Sequence, residues 1–319
     1  MQIIQASVLE VPENLCPDGC VLTIGNFDGV HLGHRTLIRT AGRLAAESGV
    51  PLLILTFPPR QGVDAANLYT EAQKEELIGE IVPDALLLEV RFDTDLSTMP
   101  EDVFFHRILR ERLRAKGIVV GQDFRYGYQA QGNVELLEQH CAACGIRFIA
   151  LLAVTSTQAD GTVLDISSTW IRSLLAEGSV PEANRLLGRP YYVAGTVLHG
   201  KGLGHTIGFP TINLKRDADM AELRHGVYVT RVTTSEGLYF GVTNVGLNPT
   251  VEHGHRIKIE TMILDYSGDL YGQRIRVEFL SFLRPEHRFS GVEALQAQLA
   301  EDVRRAREWV IEHKQEGEN

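Results

Sequence analysis

Residues 20–34 read CVLTIGNFDGVHLGH, and this stretch decides the fold of the first half of the chain. Its apolar start predicts a buried strand over Cys20–Gly25, and the glycine-rich turn that follows leads towards a helix. A helix N-terminus presents free N–H groups and a partial positive charge, so a polyphosphate can bind there. Gly25, Gly29 and Gly33 let the backbone approach such a ligand closely.

The two histidines of this stretch, His31 and His34, are spaced i and i+3, which suits one face of the helix start. Imidazole donors aimed at a phosphate suit a transition state whose charge spreads over phosphoryl oxygens. A strand–helix turn with incidental histidines is the alternative interpretation. Because glycines flank the pair and a strand precedes it, the phosphate-binding interpretation is favoured.

The rest of the first half alternates apolar runs with amphipathic stretches. Such alternation predicts strands joined by right-handed helical crossovers, and hence a mostly parallel sheet. We therefore expect a Rossmann-like α/β domain over residues 1–184. The further predicted strands are Pro51–Phe57, Ala85–Val90, Ile118–Gly121 and Ile146–Val154, and the predicted helices are Leu37–Glu47, Glu71–Glu80, Glu101–Ala115 and Val134–Cys144.

Two further blocks of the first half carry candidate ligands. VGQDFRYG at 120–127 closes a predicted strand, at the edge where open α/β sheets bind ligands. ISSTWIR at 166–172 places hydroxyl groups at a helix cap and an arginine one turn later. A cap serine is usually structural. In combination with the glycine-rich turn, Ser168 and Arg172 become candidate phosphate ligands.

The second half has a different pattern. From Gly188 onwards, closely spaced strands follow one another without intervening helices. They predict an antiparallel sheet or β-barrel over residues 185–319, and an apolar stripe between Val292 and Val310 predicts a last helix packed against it. The predicted strands are Tyr191–Leu198, Gly226–Thr233, Leu238–Val245, Ile257–Leu264 and Ile275–Leu283.

A glycine-rich segment opens this half. Residues 195–202, GTVLHGKG, nearly match a P-loop, but Gly202 lacks the hydroxyl that binds magnesium and no helix follows. Gly202 and Gly204 can instead contribute to an amide-lined concavity for phosphate. Thr211 and Asn213 offer oxygen ligands on one side of an extended segment, and such ligands suit Mg²⁺ that carries substrate phosphates. A flexible glycine loop is the alternative.

The charge of the chain restricts its partners. Its formal net charge is −10 and its pI is about 5.6. Such a chain lacks the basic surface of a nucleic-acid binder and offers nothing to an anionic membrane. The N-terminus does not resemble a signal peptide, and no run reaches the roughly 18 apolar residues of a membrane span. We expect a cytoplasmic protein with small-molecule partners.

The four cysteines Cys16, Cys20, Cys141 and Cys144 form two close pairs, a pattern that zinc sites also show. The second pair falls at helical spacing on the apolar face of the helix predicted over 134–144. We therefore favour a buried, apolar role for it. Zinc or redox chemistry is the alternative, and a disulfide is the least expected state in a reducing cytoplasm.

The ordered blocks GNFDGVHLGH, VGQDFRYG and ISSTWIR resemble the adenylyltransferase domain of bacterial bifunctional riboflavin kinase/FAD synthetases. The second half, with HGKGLGHTIGFPTIN, TNVGLNPTV and ETMILDYSGDLYG, resembles the riboflavin kinase domain of that family. The resemblance covers nearly the whole chain in the family's domain order. It implies an enzyme that uses ATP to phosphorylate riboflavin and then to adenylylate the resulting FMN to FAD.

The resemblance also implies roles for residues of the first half. His31, His34 and Arg172 are the implied catalytic residues, and they act with Ser168 on the ATP phosphates. The implied nucleotide and flavin-phosphate pocket comprises Gly25, Asn26, Phe27 and Asp28, with Asp123 on the flavin side.

In the second half, Thr211 and Asn213 are implied ligands of the magnesium that accompanies ATP. Glu260 is the implied base towards the ribityl 5′-hydroxyl, a role that suits a carboxylate. Further implied contacts are Gly202, Gly204 and Asn244 for the nucleotide and Arg284 for the flavin.

The chain departs from the family pattern at two places. After the second predicted strand the family commonly reads TFDPHP, whereas residues 56–61 read TFPPRQ. Residues 128–131 are uncharged where the family often has basic side chains. Two alternative functions therefore stay open: a riboflavin kinase with an impaired adenylyltransferase domain, and a non-catalytic flavin-binding regulator.

Overall fold

A computed structural model describes residues 1–59, 66–158, 160–198, 208–215, 219–247 and 257–314. The chain divides into two compact units. The first unit comprises Met1–Arg60 and Tyr69–Ser168, and the second comprises Gln61–Leu68 and Thr169–Asn319. None of the described helices is both long enough and apolar enough to cross a membrane.

The sheet of the first unit has six strands: β1 (Gln2–Ala6), β2 (Cys20–Ile24), β3 (Leu52–Thr56), β4 (Leu86–Val90), β5 (Ala115–Gly121) and β6 (Arg147–Leu151). They lie in the order β1-β4-β3-β2-β5-β6, and all neighbours are parallel. Every residue of β2 and β3 is buried, as expected for the centre of a parallel sheet. The predicted α/β fold is confirmed.

The strand order creates a reversal beside β2. From β2 the chain adds β3 and β4 on one side and later returns to add β5 on the other side. Open parallel sheets bind ligands outside the carboxyl ends of their strands at such a reversal. The residues that follow β2 and β5 therefore lie at the edge where a ligand is expected.

One strand and one β-hairpin of this unit were not predicted. The first is β1, whose side chains are largely exposed and which pairs with β4 at an edge of the sheet. The second is a hairpin of β7 (Thr155–Thr157) and β8 (Val163–Asp165). Both lack the buried apolar run that marks β2 to β5.

Of the helices that the structure describes in the first unit, all but the short helix over Thr94–Ser97 lie where helices were predicted. They are α1 (Leu32–Ser48), α2 (Glu71–Ile81), α3 (Thr94–Ser97), α4 (Glu101–Val103), which continues as a π-helix over Phe104–Arg112, and α5 (Val134–Cys144). The helix predicted over Glu101–Ala115 ends earlier, because Ala115 already begins β5. Cys16, Cys20 and Cys141 are buried in the apolar core, and Cys144 is half-buried beside it.

The second unit contains a closed barrel of β9 (Tyr191–Leu198), β10 (Ile212–Lys215), β11 (Gly226–Thr233), β12 (Leu238–Leu247), β13 (Ile257–Ile263) and β14 (Arg274–Pro285). The order around the barrel is β10-β13-β12-β11-β14-β9, and all neighbours are antiparallel. The predicted barrel is confirmed. Its strand β10 was expected only as an extended segment.

Within the part of the second unit that the structure describes there are three helices: α6 (Ser168–Glu177), which begins at the boundary between the units, α7 (Val180–Leu187) and α8 (Val292–Lys314). The side chain of Asn184 joins α7 to the barrel, because its Nδ2 donates to the carbonyl oxygen of Phe279 at 2.8 Å and its Oδ1 accepts from the N–H of Tyr191 at 2.7 Å. Ala306 of α8 lies in an apolar cluster with Val227 of β11. The last helix is therefore packed on the barrel, as predicted.

Candidate active sites

The turn between β2 and α1 has an unusual backbone. Phe27 and Val30 have positive φ angles of 50° and 41°, and Gly29 has a φ of 80°. Positive φ is unfavourable for a residue with a β-carbon, above all a β-branched one, and persists where the surroundings impose it. Gly25 lies close to the Phe27 ring, since a β-carbon at position 25 would be 3.3 Å from that ring.

The rings of His31 and His34 stack, with centroids 3.6 Å apart and planes inclined by 22°. His31 is the N-cap of α1, because its Nδ1 accepts the backbone N–H of His34 at 3.4 Å. An accepting Nδ1 places the proton of a neutral imidazole on Nε2, where it can be donated to a ligand. A β-carbon at Gly33 would lie 3.2 Å from the His31 ring, so glycine leaves room for the stacked pair.

Neighbouring elements hold this turn in place. Thr56, the last residue of β3, donates from Oγ1 to the carbonyl oxygen of Asn26 at 3.3 Å. Ser168, at the start of α6, donates from Oγ to the carbonyl oxygen of Asp28 at 2.8 Å. Ser168 therefore has a structural contact with the turn, and its phosphate contact stays a prediction.

Asp123 and Arg172 lie outside the turn. Asp123 follows β5, the neighbour of β2, and its exposed side chain folds back towards Gly121. Arg172 lies one turn into α6, where its Nη2 donates to Thr169 Oγ1 at 3.1 Å. The residues that the structure collects at the turn are Gly25, Asn26, Phe27, Asp28, His31, His34 and Ser168.

A polar cluster in the same unit was not predicted. The carboxylates of Glu71, Glu75 and Glu89 have oxygens within 4.8 Å of one another, and the Nζ of Lys74 lies 3.4 Å from Glu89 Oε1. Gln5 donates from Nε2 to Glu89 Oε2 at 3.1 Å. The sequence carries one signal of this cluster, which is Glu89 itself, a charged residue inside the apolar strand LLLEV.

Two carboxyl groups of this cluster, those of Glu71 and Glu75, have raised pKa values. A hydrogen bond with Glu89, followed by burial, raises the pKa of Glu71 to about 7. Burial, followed by the charge of Glu89, raises the pKa of Glu75. Glu71 therefore changes its charge near neutral pH.

This titration predicts a pH dependence of stability. Because the folded pKa of Glu71 lies above its unfolded value, its contribution to stability is complete below about pH 4.5 and is lost as the pH rises through about 7. Gln at position 71 does not ionise, so Glu71→Gln avoids this loss of stability at high pH. The Tm of the variant minus that of wild type is therefore expected to be larger at pH 8 than at pH 5. Thermal unfolding of both proteins at both pH values measures this difference.

The control for this experiment is Glu80→Gln, an exposed position on the same helix outside the cluster. Its effect on Tm is expected to be the same at both pH values. A change in Tm that is independent of pH for Glu71→Gln would contradict the assigned titration.

A second candidate site lies on the barrel. Asn213 of β10 pairs in register with Glu260 of β13, which in turn pairs with Asn244 of β12. Paired residues project from the same face of a sheet, and successive residues project from opposite faces. The three polar side chains therefore share the face opposite to the buried hydroxyls of Thr243 and Thr261, whose Oγ1 atoms are 2.8 Å apart.

The three side chains of this row, Asn213, Glu260 and Asn244, differ in their hydrogen-bond and ion-pair partners. Glu260 forms an ion pair with Lys258, two residues earlier on the same strand. Asn244 donates from Nδ2 to Glu286 Oε1 at 3.3 Å. Asn213 is 7% exposed, and its Oδ1 has no hydrogen-bond partner among the described residues. A buried amide oxygen without a partner costs free energy that a ligand can recover.

Asn213 and Thr211 fit a hard cation. Thr211 lies two residues before Asn213 and is half-buried. Amide and hydroxyl oxygens are acceptable to Mg²⁺, which completes its octahedron with waters and substrate phosphates. The predicted nucleotide contacts Gly202 and Gly204 lie outside the described residues.

Arg284 has a structural partner. Its Nε and Nη2 donate to the two carboxylate oxygens of Asp302 at 2.8 Å and 2.7 Å. Asp302 is completely buried on α8, so this bidentate pair ties β14 to the last helix. The flavin contact of Arg284 stays a prediction.

Comparisons with known proteins agree with two catalytic halves. A family model described as FAD synthetase matches residues 13–169, and one described as riboflavin kinase matches residues 187–310. A bifunctional riboflavin kinase/FMN adenylyltransferase of Escherichia coli is 37% identical over 92% of this chain and 93% of its own length. Its counterpart from Listeria monocytogenes is 34% identical over 88% of this chain and 90% of its own length.

A solved structure from Streptococcus pneumoniae, described as a macrolide-efflux protein, shares the fold. It superposes with a TM-score of 0.84 at 28% identity. The superposition covers 97% of this chain and 100% of that chain. The likeness therefore extends over both units.

Proposed function

Because the chain belongs to the bifunctional riboflavin kinase/FMN adenylyltransferase family, we propose that it phosphorylates riboflavin to FMN and adenylylates FMN to FAD, using ATP in both steps. The observation that carries this proposal is that each unit has its own candidate site. The first is the stacked pair of His31 and His34, and the second is the row of Asn213, Glu260 and Asn244. A cytoplasmic location is proposed with it, because the cytoplasm supplies ATP.

The product mixture tests this proposal. Incubation with riboflavin, ATP and Mg²⁺, followed by chromatography, is expected to show FMN first and FAD later. Unchanged riboflavin would support a flavin-binding regulator without catalysis. FMN without FAD would support a kinase with an impaired adenylyltransferase.

One observation favours this last candidate. Pro58 and Pro59 follow Phe57 at the carboxyl end of β3, where the family commonly has an acidic residue and a proline–histidine pair. The acidic and imidazole groups are therefore missing from the sequence that follows β3, where Pro58 and Arg60 stand instead. The rate of FAD formation relative to FMN formation measures their importance.

In the proposed adenylyl transfer, the FMN phosphate attacks the α-phosphorus of ATP and pyrophosphate leaves. The imidazole N–H groups of His31 and His34 are assigned to phosphate oxygens, where they stabilise the charge of the transition state. The N-terminus of α1 adds a favourable electrostatic contribution. The other assigned contacts are Ser168 and Arg172 on the phosphates, Gly25, Asn26, Phe27 and Asp28 on the nucleotide, and Asp123 on the flavin side.

Replacement of His31 tests the first site. His31→Ala is expected to reduce FAD formation by about 10²–10³-fold, because one oriented donor to the transition state is lost. FMN formation, which depends on the other unit, is expected to stay near the wild-type rate. Chromatography of both products from one reaction measures the two rates together.

His106→Ala, which removes another half-buried histidine of the same unit, is the control and should affect neither product. Equal loss of FMN and FAD in His31→Ala would indicate a folding defect. Normal FAD formation would remove His31 from the catalytic set.

In the proposed kinase step, Glu260 accepts the proton of the ribityl 5′-hydroxyl as that oxygen attacks the γ-phosphorus of ATP and ADP leaves. Lys258 holds the carboxylate through their ion pair. Thr211 and Asn213 would hold Mg²⁺, which neutralises phosphate charge when it is bound with ATP. The remaining assigned contacts are Gly202, Gly204 and Asn244 for the nucleotide and Arg284 for the flavin.

Replacement of Glu260 tests the second site. Glu260→Gln keeps the size of the side chain and removes the base, so FMN formation is expected to fall by about 10²–10⁴-fold. Adenylylation of supplied FMN should continue. Glu236→Gln, at an exposed turn of the barrel, is the control and should leave both activities unchanged. Near-normal kinase activity in Glu260→Gln would mean that Glu260 is not the base.

We also propose the division of labour that the sequence predicts, with residues 1–184 as adenylyltransferase and residues 185–319 as riboflavin kinase. Helix α6 precedes this boundary and α7 crosses it, and both belong to the second unit from Thr169 onwards. Their buried side chains are Ile171, Leu175, Val180, Ala183, Leu186 and Leu187. A kinase half that lacks most of these side chains is expected to be less stable.

Two truncations test this division. Chains that begin at Thr169 and at Asn184 are both expected to form FMN and no FAD. The longer chain should have the higher Tm, because it keeps four further buried side chains, each of which contributes about 1 kcal/mol or more. FAD formation by either truncation, or no FMN formation by the longer one, would contradict the proposed division.

A further inference from the structure

Lys74 is a buried cation to which the reactions above assign no role. Its side chain is 4% exposed, and its Nζ faces three oxygens: the carbonyl of Phe57 at 2.7 Å, Thr56 Oγ1 at 3.4 Å and Glu89 Oε1 at 3.4 Å. Lys74 donates hydrogen bonds to the Phe57 carbonyl and to Thr56 Oγ1, and its contact with Glu89 is an ion pair. Burial lowers the pKa of Lys74, and the charge of Glu89 opposes this shift.

A buried ion pair is a costly way to fill a helix–sheet contact. Apolar side chains of similar size often serve as well or better, because two charges must be removed from water. On α2, Leu77 and Ile78 are buried in the core, whereas Glu71 and Glu75 belong with Glu89 to the carboxylate cluster beside Lys74. Because its hydrogen bonds go to Thr56 and Phe57 at the end of β3, Lys74 does more than fill space between α2 and the sheet.

The contacts of Lys74 lead to the histidine turn. The single proton of Thr56 Oγ1 is donated to the carbonyl oxygen of Asn26, so this hydroxyl accepts from Lys74. The resulting chain of hydrogen bonds runs from Lys74 through Thr56 to Asn26. In addition, α2 packs against residues 28–30 of the turn.

The turn needs such support. Phe27 and Val30 keep positive φ angles of 50° and 41°, conformations that relax unless contacts hold them. Asn26 immediately precedes Phe27 and begins the segment assigned to the nucleotide. A shift of its carbonyl group would move the segment that leads to His31.

We propose that Lys74 is a positioning residue for adenylyl transfer, which holds the nucleotide-binding turn through Thr56 and Asn26. The proposal rests on the adenylyltransferase function proposed above. Lys74 does not touch the reacting atoms. It fixes the end of β3 and the start of the turn relative to each other.

The variant that tests this role is Lys74→Met in the full chain, which keeps the length of the side chain and removes its three donors. For FMN adenylylation, kcat/KM for ATP is expected to fall by roughly 10-fold to 100-fold, since small misplacements of a site have effects of this size. Riboflavin phosphorylation by the same chain serves as the internal reference and should not change.

Two further variants separate positioning from general stability. Leu77→Ala removes a buried apolar neighbour on α2, so it should lower Tm and leave kcat/KM for ATP unchanged well below that Tm. Thr56→Val removes only the linking hydroxyl and should resemble Lys74→Met. The double variant should be no worse than Lys74→Met, because both changes break one chain of contacts.

Hydrogen exchange tests the same link without reference to activity. The amide of Val30 donates to the carbonyl of Phe27 at 3.1 Å and reports on the turn. Lys74→Met is expected to accelerate exchange over residues 25–31, whereas Leu77→Ala is not. A wild-type chain that forms no FAD would contradict the proposed function, and exchange would still decide the role of Lys74.

The proposal is overturned by any of three results. The first is an unchanged kcat/KM in Lys74→Met together with unchanged exchange in the turn. The second is an equal loss of kcat/KM in Leu77→Ala, which would mean that any destabilisation of α2 has this effect. The third is a double variant whose losses multiply, which would show that Lys74 and Thr56 act independently.

Discussion

The strained turn after β2 is the feature on which the candidate site of the first unit depends most. A residue in a sparsely populated region of φ and ψ costs about 1–3 kcal/mol, and this turn contains two such residues, Phe27 and Val30. The contacts that hold them come from distant parts of the chain, Thr56 on β3 and Ser168 at the start of α6. The parallel sheet makes this possible, because the carboxyl ends of its strands lie at one edge. The stacked histidines therefore depend on the whole unit.

In the barrel, the alignment of paired strands places the residues of the second candidate site next to one another. Asn213, Glu260 and Asn244 lie far apart in the sequence and become neighbours because three antiparallel strands pair in one alignment. A shift of one residue would turn a strand's polar side chain to the opposite face. Closure of the barrel restricts such shifts, because each strand is paired on both sides. The second site is thus also determined by long-range pairing.

The sequence was sufficient for elements with a strong local pattern. Buried apolar runs predicted β2 to β6, and the glycine-rich turn predicted where His31 and His34 would lie. It was insufficient for β1 and β10, because neither has an apolar run of its own and each becomes a strand by pairing with a neighbour. These strands follow from tertiary structure, which local periodicity does not encode.

The role inferred for Lys74 could not be predicted from the sequence either. A lysine in the middle of a helix is normally exposed, and its sequence neighbourhood does not reveal that Glu89 and Thr56 lie opposite it. In the same way, the sequence proposed Ser168 and Arg284 as ligand contacts without revealing their structural partners, the carbonyl of Asp28 and the carboxylate of Asp302. The structure shows which side chains have a partner within the fold, and only a measurement shows whether the same side chains also contact a ligand.

The central claim is that one chain carries two independent sites that act in sequence on a flavin. Mixing two variants that each lack one of the two activities, His31→Ala and Glu260→Gln, with riboflavin, ATP and Mg²⁺ tests it most directly. Neither protein alone should form FAD at an appreciable rate from riboflavin. The mixture should form FAD, because the first protein makes FMN and the second adenylylates it. A mixture that forms no more FAD than its components would contradict the account.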